Sequence, residues 1–107
     1  MWTPDKIRET VAADKVVLFT KGSRYQPMCG FSAKAIGILE RLTDEFTVVN
    51  IFDDPSIRPA LVAFSNWPTT PQLFIQGVLI GGSDIMEELA GQGELRRRLE
   101  SAEVPLR

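Results

Sequence analysis

The sequence predicts a single α/β domain, with a mixed four-stranded sheet covered by helices on both faces. Three features lead there. The chain has 107 residues, enough for one compact core and too few for two. Lys15-Val16-Val17-Leu18-Phe19-Thr20 is apolar at consecutive positions, so both of its faces must be covered, as in a central strand. Helical and extended periodicities then alternate along the chain and finish in a tight hairpin.

Thr3-Pro4-Asp5 starts the first helix. Thr3 suits the cap, Pro4 the first helical position and Asp5 the positive end of the dipole, and Ile7 and Val11 share one face. The strand at 15–20 is followed by a loop from Gly22 to Met28. From Phe31 the period becomes helical, with Phe31, Ala35, Ile38, Leu39 and Leu42 as the expected apolar stripe. Phe46-Thr47-Val48-Val49-Asn50-Ile51 reads as a second strand. Asp53-Asp54-Pro55 reads as a helix start, with Ile57, Leu61 and Phe64 at helical spacing. Pro59 is expected to cost that helix an internal hydrogen bond. Gln72-Leu73-Phe74-Ile75 and Val78-Leu79-Ile80 flank Gln76-Gly77, a two-residue hairpin turn. Gly81-Gly82-Ser83-Asp84 leads into a helix ended by Gly91 and Gly93, and a short helix over Glu94 to Glu100 closes the chain. The first two strands, joined by a helix, should be parallel with a right-handed crossover. The order α-β-α-β-α-β-β-α-α is that of a thioredoxin-like α/β domain.

Composition removes several function classes. A chain with 44% apolar and 24% charged residues is of ordinary globular make-up. Its net charge of −2 supplies no bulk attraction for nucleic acid. Arg96-Arg97-Arg98 reads as a solvated helix face. No apolar run is long enough to span a membrane as a helix. No secretory leader is evident, and a reducing, cytoplasmic-type compartment is the expectation. There is no histidine, which excludes Ser-His-Asp and Cys-His catalysis and the commonest zinc ligand.

The chemistry therefore rests on a single thiol, Cys29, in Cys29-Gly30-Phe31-Ser32. With no second cysteine it can share a bond only with another molecule. It stands where the first strand gives way to a helix, and free N–H groups at a helix N-terminus favour thiolate over thiol. Gly30 permits close approach to the backbone. Phe31 is expected to anchor the helix in the core. Ser32 takes the place of the second cysteine of a Cys-x-x-Cys pair; its hydroxyl can donate to Cys29 but cannot resolve a mixed disulfide. A free cysteine also serves as a small buried hydrophobe, and that reading stays open on spacing alone. Two further features fall at the same sheet edge. Thr70-Pro71 enters the third strand, where a cis bond would expose the backbone of Thr70 and a trans bond would make it an ordinary strand start. Ser83 and Asp84 open a helix, as an anion site or as a plain cap. Lys21 and Arg58 are single cations.

Taken together, Lys21-Gly22, Cys29-Gly30-Phe31-Ser32, Ile57-Arg58, Ser65-Asn66-Trp67-Pro68-Thr69, Thr70-Pro71-Gln72 and Gly81-Gly82-Ser83-Asp84-Ile85 resemble a monothiol glutaredoxin of the Cys-Gly-Phe-Ser type. The resemblance runs in the family's order and spacing and covers nearly the whole chain, which implies one glutaredoxin domain over 1–107. It implies a glutathione site, in which Lys21 and Arg58 pair with the glycine carboxylate. The backbone of Thr70, before a cis Pro71, holds the cysteinyl portion, and Ser83 and Asp84 hold the γ-glutamyl end. It also implies a labile [2Fe–2S] cluster between two chains, ligated by Cys29 of each and by two glutathione thiols, since such a cluster needs four ligands and one chain supplies one. The implied role is a cluster carrier or scaffold in cluster biogenesis and iron homeostasis. Its implied partners are apo iron–sulfur acceptors and a BolA-like protein. The competing role is glutathione-dependent thiol–disulfide exchange, for which one cysteine suffices. Three positions depart from the common pattern. Thr70 is smaller than usual, Ser83 removes a cysteine found in some relatives, and Arg24 replaces a frequent proline, which implies a looser loop.

Overall fold

A computed structural model describes residues 1–107. The elements follow in the order α1 (Pro4–Ala13), β1 (Val16–Thr20), α2 (Gly30–Leu42), β2 (Thr47–Asn50), a single 3₁₀ turn (Ile51–Asp53), α3 (Ile57–Ser65), β3 (Gln72–Ile75), β4 (Val78–Gly81), α4 (Ser83–Gly91) and α5 (Glu94–Ser101). The sheet order is β2-β1-β3-β4. β1 runs parallel to β2, with Leu18 opposite Val48, and antiparallel to β3, with Leu18 opposite Leu73. β3 and β4 form the antiparallel hairpin. This is the thioredoxin-like arrangement that the element order predicts.

Every residue of β1 is buried, because the sheet divides the interior into two cores. Val16 and Leu18 face a core built with Ala35, Leu39, Met86, Leu95 and Leu99 of α2, α4 and α5. Val17 and Phe19 face a second core with Ile7, Val11, Ile57, Leu61 and Phe74. Phe19 and Phe74 meet there edge-on, with ring centroids 5.7 Å apart.

The termini of the elements carry the expected chemistry in most places. Thr3 caps α1, its Oγ1 accepting from the backbone N of Lys6 at 3.2 Å. Gln76 and Gly77 both have positive φ, 50° and 77°, as a primed two-residue hairpin turn requires. Gly93, at φ 73°, separates α4 from α5, and α4 itself runs through Gly91.

Four expectations are corrected. Phe31 is 61% exposed and does not anchor α2. The inward stripe is Ser32, Ala35, Ile36 and Leu39, spaced i, i+3, i+4, i+7 from Ser32, which turns the preceding residue outward. Pro59 is the third residue of α3, where the N–H has no intrahelical acceptor, so proline forfeits no bond. The second strand is shorter than 46–51, because Asn50 turns the chain, its Oδ1 accepting from the N of Phe52 at 2.9 Å. Finally, Arg24 fastens its loop instead of loosening it. Its side chain is only 19% exposed. The guanidinium lies 3.9 Å from the centroid of Phe46 and 3.6 Å from the Glu40 carboxylate, an ion pair too long to be a hydrogen bond.

Candidate functional site

The C-terminal ends of β1 and β2, the start of β3 and the end of β4 meet at one edge of the sheet, which is where ligands of open α/β sheets gather. A cleft of about 390 Å³ opens there. Its lining includes Lys21, Cys29, Arg58, Thr70, Pro71, Ser83 and Asp84, so all seven candidate residues are brought together from five separate stretches of chain.

Cys29 is the N-cap of α2, in extended backbone (φ −149°, ψ 134°), and makes no side-chain capping bond. It is partly exposed. Its thiol is held below the ordinary cysteine value, chiefly by the backbone N–H of Ser32. The N–H of Phe31, the charge of Lys21 and the hydroxyl of Ser32 act in the same direction, against a raising effect of partial burial. These are the unpaired donors of a helix N-terminus, turned on a thiolate.

Ser32 is fully buried and does more than the sequence suggested. Its Oγ accepts from the backbone N of Lys21 at 3.0 Å, so that lone pair is engaged by β1's end while its proton favours the thiolate. The Lys21-Gly22 segment is held from several sides. Gly22 N donates to Asn50 Oδ1 at 3.0 Å, Thr20 Oγ1 donates to Gly22 O at 2.8 Å, and Met28 N donates to Lys21 O at 2.8 Å. Gly22 pairs with Pro27 across the loop. Gly22 itself has φ 94°, and a Cβ there would stand 2.5 Å from both Gln26 O and Met28 N. Only glycine lets the loop fold back so tightly onto the thiol.

The other wall comes from β3 and α4. The Thr70–Pro71 peptide is cis, and Thr70 is buried at the cleft. The N-cap of α4 is Gly82, with no side-chain cap. Ser83 and Asp84 are therefore the first two helical residues and not caps, and the N–H groups of that first turn face a position where an anion is favoured. The Asp84 side chain is exposed and lies 3.9 Å from Lys34 Nζ, which also pairs with Glu87 at 2.9 Å. Lys21 and Arg58 have no carboxylate partner among the chain's ion pairs.

Five lining residues lie outside those seven: Phe31, Trp67, Thr69, Gly82 and Ile85. Apolar character alone sends Phe31 to the core. Trp67 and Thr69 lie in the segment noted for its resemblance, but nothing in their local pattern fixes which way they face. No group of three or more acidic, cysteine or histidine side chains is placed to hold a metal. A second hollow, near Asp14, Lys15, Asp44 and Glu45 at the opposite sheet edge, contains no cysteine. Its polar groups are partly satisfied internally, Thr47 Oγ1 donating to Asp14 at 2.9 Å and Lys15 Nζ to Glu103 O at 3.1 Å.

The geometry agrees with comparisons to known proteins. The glutaredoxin family model matches residues 16–80. A protein of Rickettsia felis named probable monothiol glutaredoxin 2 is 50% identical over 93 residues, 87% of this chain and 89% of its own length. Among solved structures, a monomeric truncated mutant of Trypanosoma brucei 1-C-Grx1 superposes with a TM-score of 0.90 at 34% identity, covering 100% of this chain and 97% of that one. Reduced poplar apo GrxS14 gives 0.80 at 41% identity, over 92% and 91% of the two chains.

Proposed function

The chain belongs to the glutaredoxin family, in its monothiol group, and from that premise we propose that it binds glutathione in the cleft and carries a labile [2Fe–2S] cluster as cargo between two copies of itself. The observation that carries the reading is the isolation of Cys29. It is the one thiol, its ionisation is favoured by the α2 N-terminus, and no other side chains are placed to complete a metal site. A cluster with four ligands then needs two chains and two thiols from elsewhere.

Glutathione suits the lining by charge. It bears two carboxylates and one ammonium. The cleft offers Lys21 and Arg58, the first turn of α4 and the carboxylate of Asp84. Lys21 and Arg58 would pair with the glycine carboxylate, the backbone of Thr70 beside Pro71 with the cysteinyl portion, and Ser83 and Asp84 with the γ-glutamyl end. The tripeptide's sulfur would then lie beside Cys29. A cluster held half by diffusible thiols leaves readily, which fits delivery to apo acceptor proteins, or exchange onto a BolA-like partner, in a reducing compartment such as the cytoplasm.

The experiment is anaerobic reconstitution with iron, sulfide and glutathione. A visible chromophore and a dimer on sizing are expected, and Cys29→Ser should abolish both. A colourless monomer under those conditions overturns the proposal.

The lowered thiol pKa also supports a second reading, glutathione-dependent exchange. Cys29 thiolate would attack the glutathione sulfur of a protein mixed disulfide, releasing the protein thiolate. Free glutathione thiolate would then attack the Cys29 adduct, forming oxidised glutathione and restoring Cys29. Mixed-disulfide turnover faster than cluster transfer to an apo-ferredoxin would rank this reading first.

A further inference from the structure

The segment Trp67–Pro71 lines the cleft at Trp67, Thr69, Thr70 and Pro71, yet it makes no backbone–backbone hydrogen bond. Pro68 within it and Asn66 just before it are exposed. Such a stretch should be loose, and one side chain accounts for its order. Gln72, the first residue of β3, is fully buried. Its Nε2 donates to Trp67 O at 2.9 Å and to Thr69 O at 3.1 Å. The only other tie within the segment is Trp67 N to Ser65 Oγ at 3.1 Å.

We propose that Gln72 is a positioning residue for the site, its carboxamide holding the Trp67–Thr70 wall in the shape that lets the Thr70 backbone meet a ligand. A neutral amide NH₂ suits the role in a fully buried position. It supplies two donors to two carbonyls, and the opposite orientation would set oxygen against oxygen. Gln72 Oε1 is left without a donor, as is Trp67 Nε1 without an acceptor, so the amide is retained although one of its polar atoms is buried unpaired, a cost that an apolar side chain would avoid. Gln72 is not itself among the residues that line the cleft and acts through Trp67 and Thr69. The closeness of this wall to Gly82 matters too. Trp67 Nε1 would lie 3.9 Å from a Cβ placed on Gly82, and Pro71 O 3.3 Å, so this wall abuts the N-terminus of α4.

This inference rests on the glutathione reading, and the test separates the two. Gln72→Met keeps length and burial but removes both donors. Loss of two neutral hydrogen bonds should weaken binding of reduced glutathione on the order of tenfold, measured calorimetrically below the melting transition. The pH profile of Cys29 alkylation should not move, because the groups that set it lie on α2 and Lys21. If the wild-type chain does not bind glutathione, the functional proposal fails. If the wild type binds and the folded variant binds equally, with only its melting temperature lowered, Gln72 is structural and this inference fails. Should the variant not fold, hydrogen exchange of the Gln72 carboxamide in the wild-type chain decides. Protected protons, slowed further by glutathione, support the proposal, and freely exchanging protons overturn it.

Discussion

Replacing Gly22 with alanine isolates the geometry that carries the thiol loop. At φ 94° a side chain costs about 1–3 kcal/mol in backbone strain. The new Cβ would also stand 2.5 Å from Gln26 O and Met28 N and 2.9 Å from Met28 Cγ. Two of these are backbone atoms, so relief requires the loop to retreat, breaking the 2.8 Å bond from Met28 N to Lys21 O at about 1 kcal/mol. The sum is about 3 kcal/mol, or a fall in Tm of roughly 15 °C for a domain of this size. Thermal unfolding followed by circular dichroism measures it. Cys29 alkylation at neutral pH should slow in parallel, since the displaced segment carries Lys21. Gly30→Ala is the control. A Cβ there meets nothing within 4 Å and φ is not positive, so its Tm should hold or rise, by up to about 1 kcal/mol of stability. A Gly22 variant that melts within a few degrees of the wild type would refute the argument.

Other substitutions probe the same edge. Ser32→Ala should raise the thiol pKa only part of the way to the ordinary value, because the backbone N–H of Ser32 remains; stability should fall by about 1–3 kcal/mol as Lys21 N loses its buried acceptor. Urea denaturation and iodoacetamide kinetics against pH read the two effects. Arg24→Met keeps the alkyl packing on Phe46 and removes the guanidinium, so a loss of about 1–2 kcal/mol is expected, and an unchanged urea midpoint would deny Arg24 its anchoring role. The pH dependence of folding follows from the depressed folded-state pKa of Cys29. Below that pKa the thiol is protonated in both states and contributes nothing. Its stabilisation grows as pH rises through the folded value, is full above the unfolded value, and is lost again as pH falls. The stability difference between wild type and Cys29→Ser should therefore widen with rising pH and then level off; a difference that narrowed would contradict the stated causes of the shift.

What the sequence by itself determined was chemistry and periodicity. One cysteine and no histidine limit the protein to thiol chemistry with an outside partner, whatever the fold. Consecutive apolar residues in β1 demand cover on both faces, and Gln76-Gly77 marks a hairpin because two residues separate the strands and Gly77 takes positive φ freely. These are local properties, carried by neighbours in the chain. Tertiary structure decided which side chains face the cleft. Phe31 and Ser32 are adjacent, and apolar character alone sends Phe31 inward. The docking of α2 against the sheet and α4 instead buries the hydroxyl, which then joins Lys21 to Cys29. Arg24 reads as a loop charge until Phe46, 22 positions on, lies beneath its guanidinium. Gln72 reads as one more strand residue until its amide reaches back to the carbonyls of Trp67 and Thr69. Each of these contacts depends on how packed elements sit against one another, and residue spacing within a single element holds no record of that.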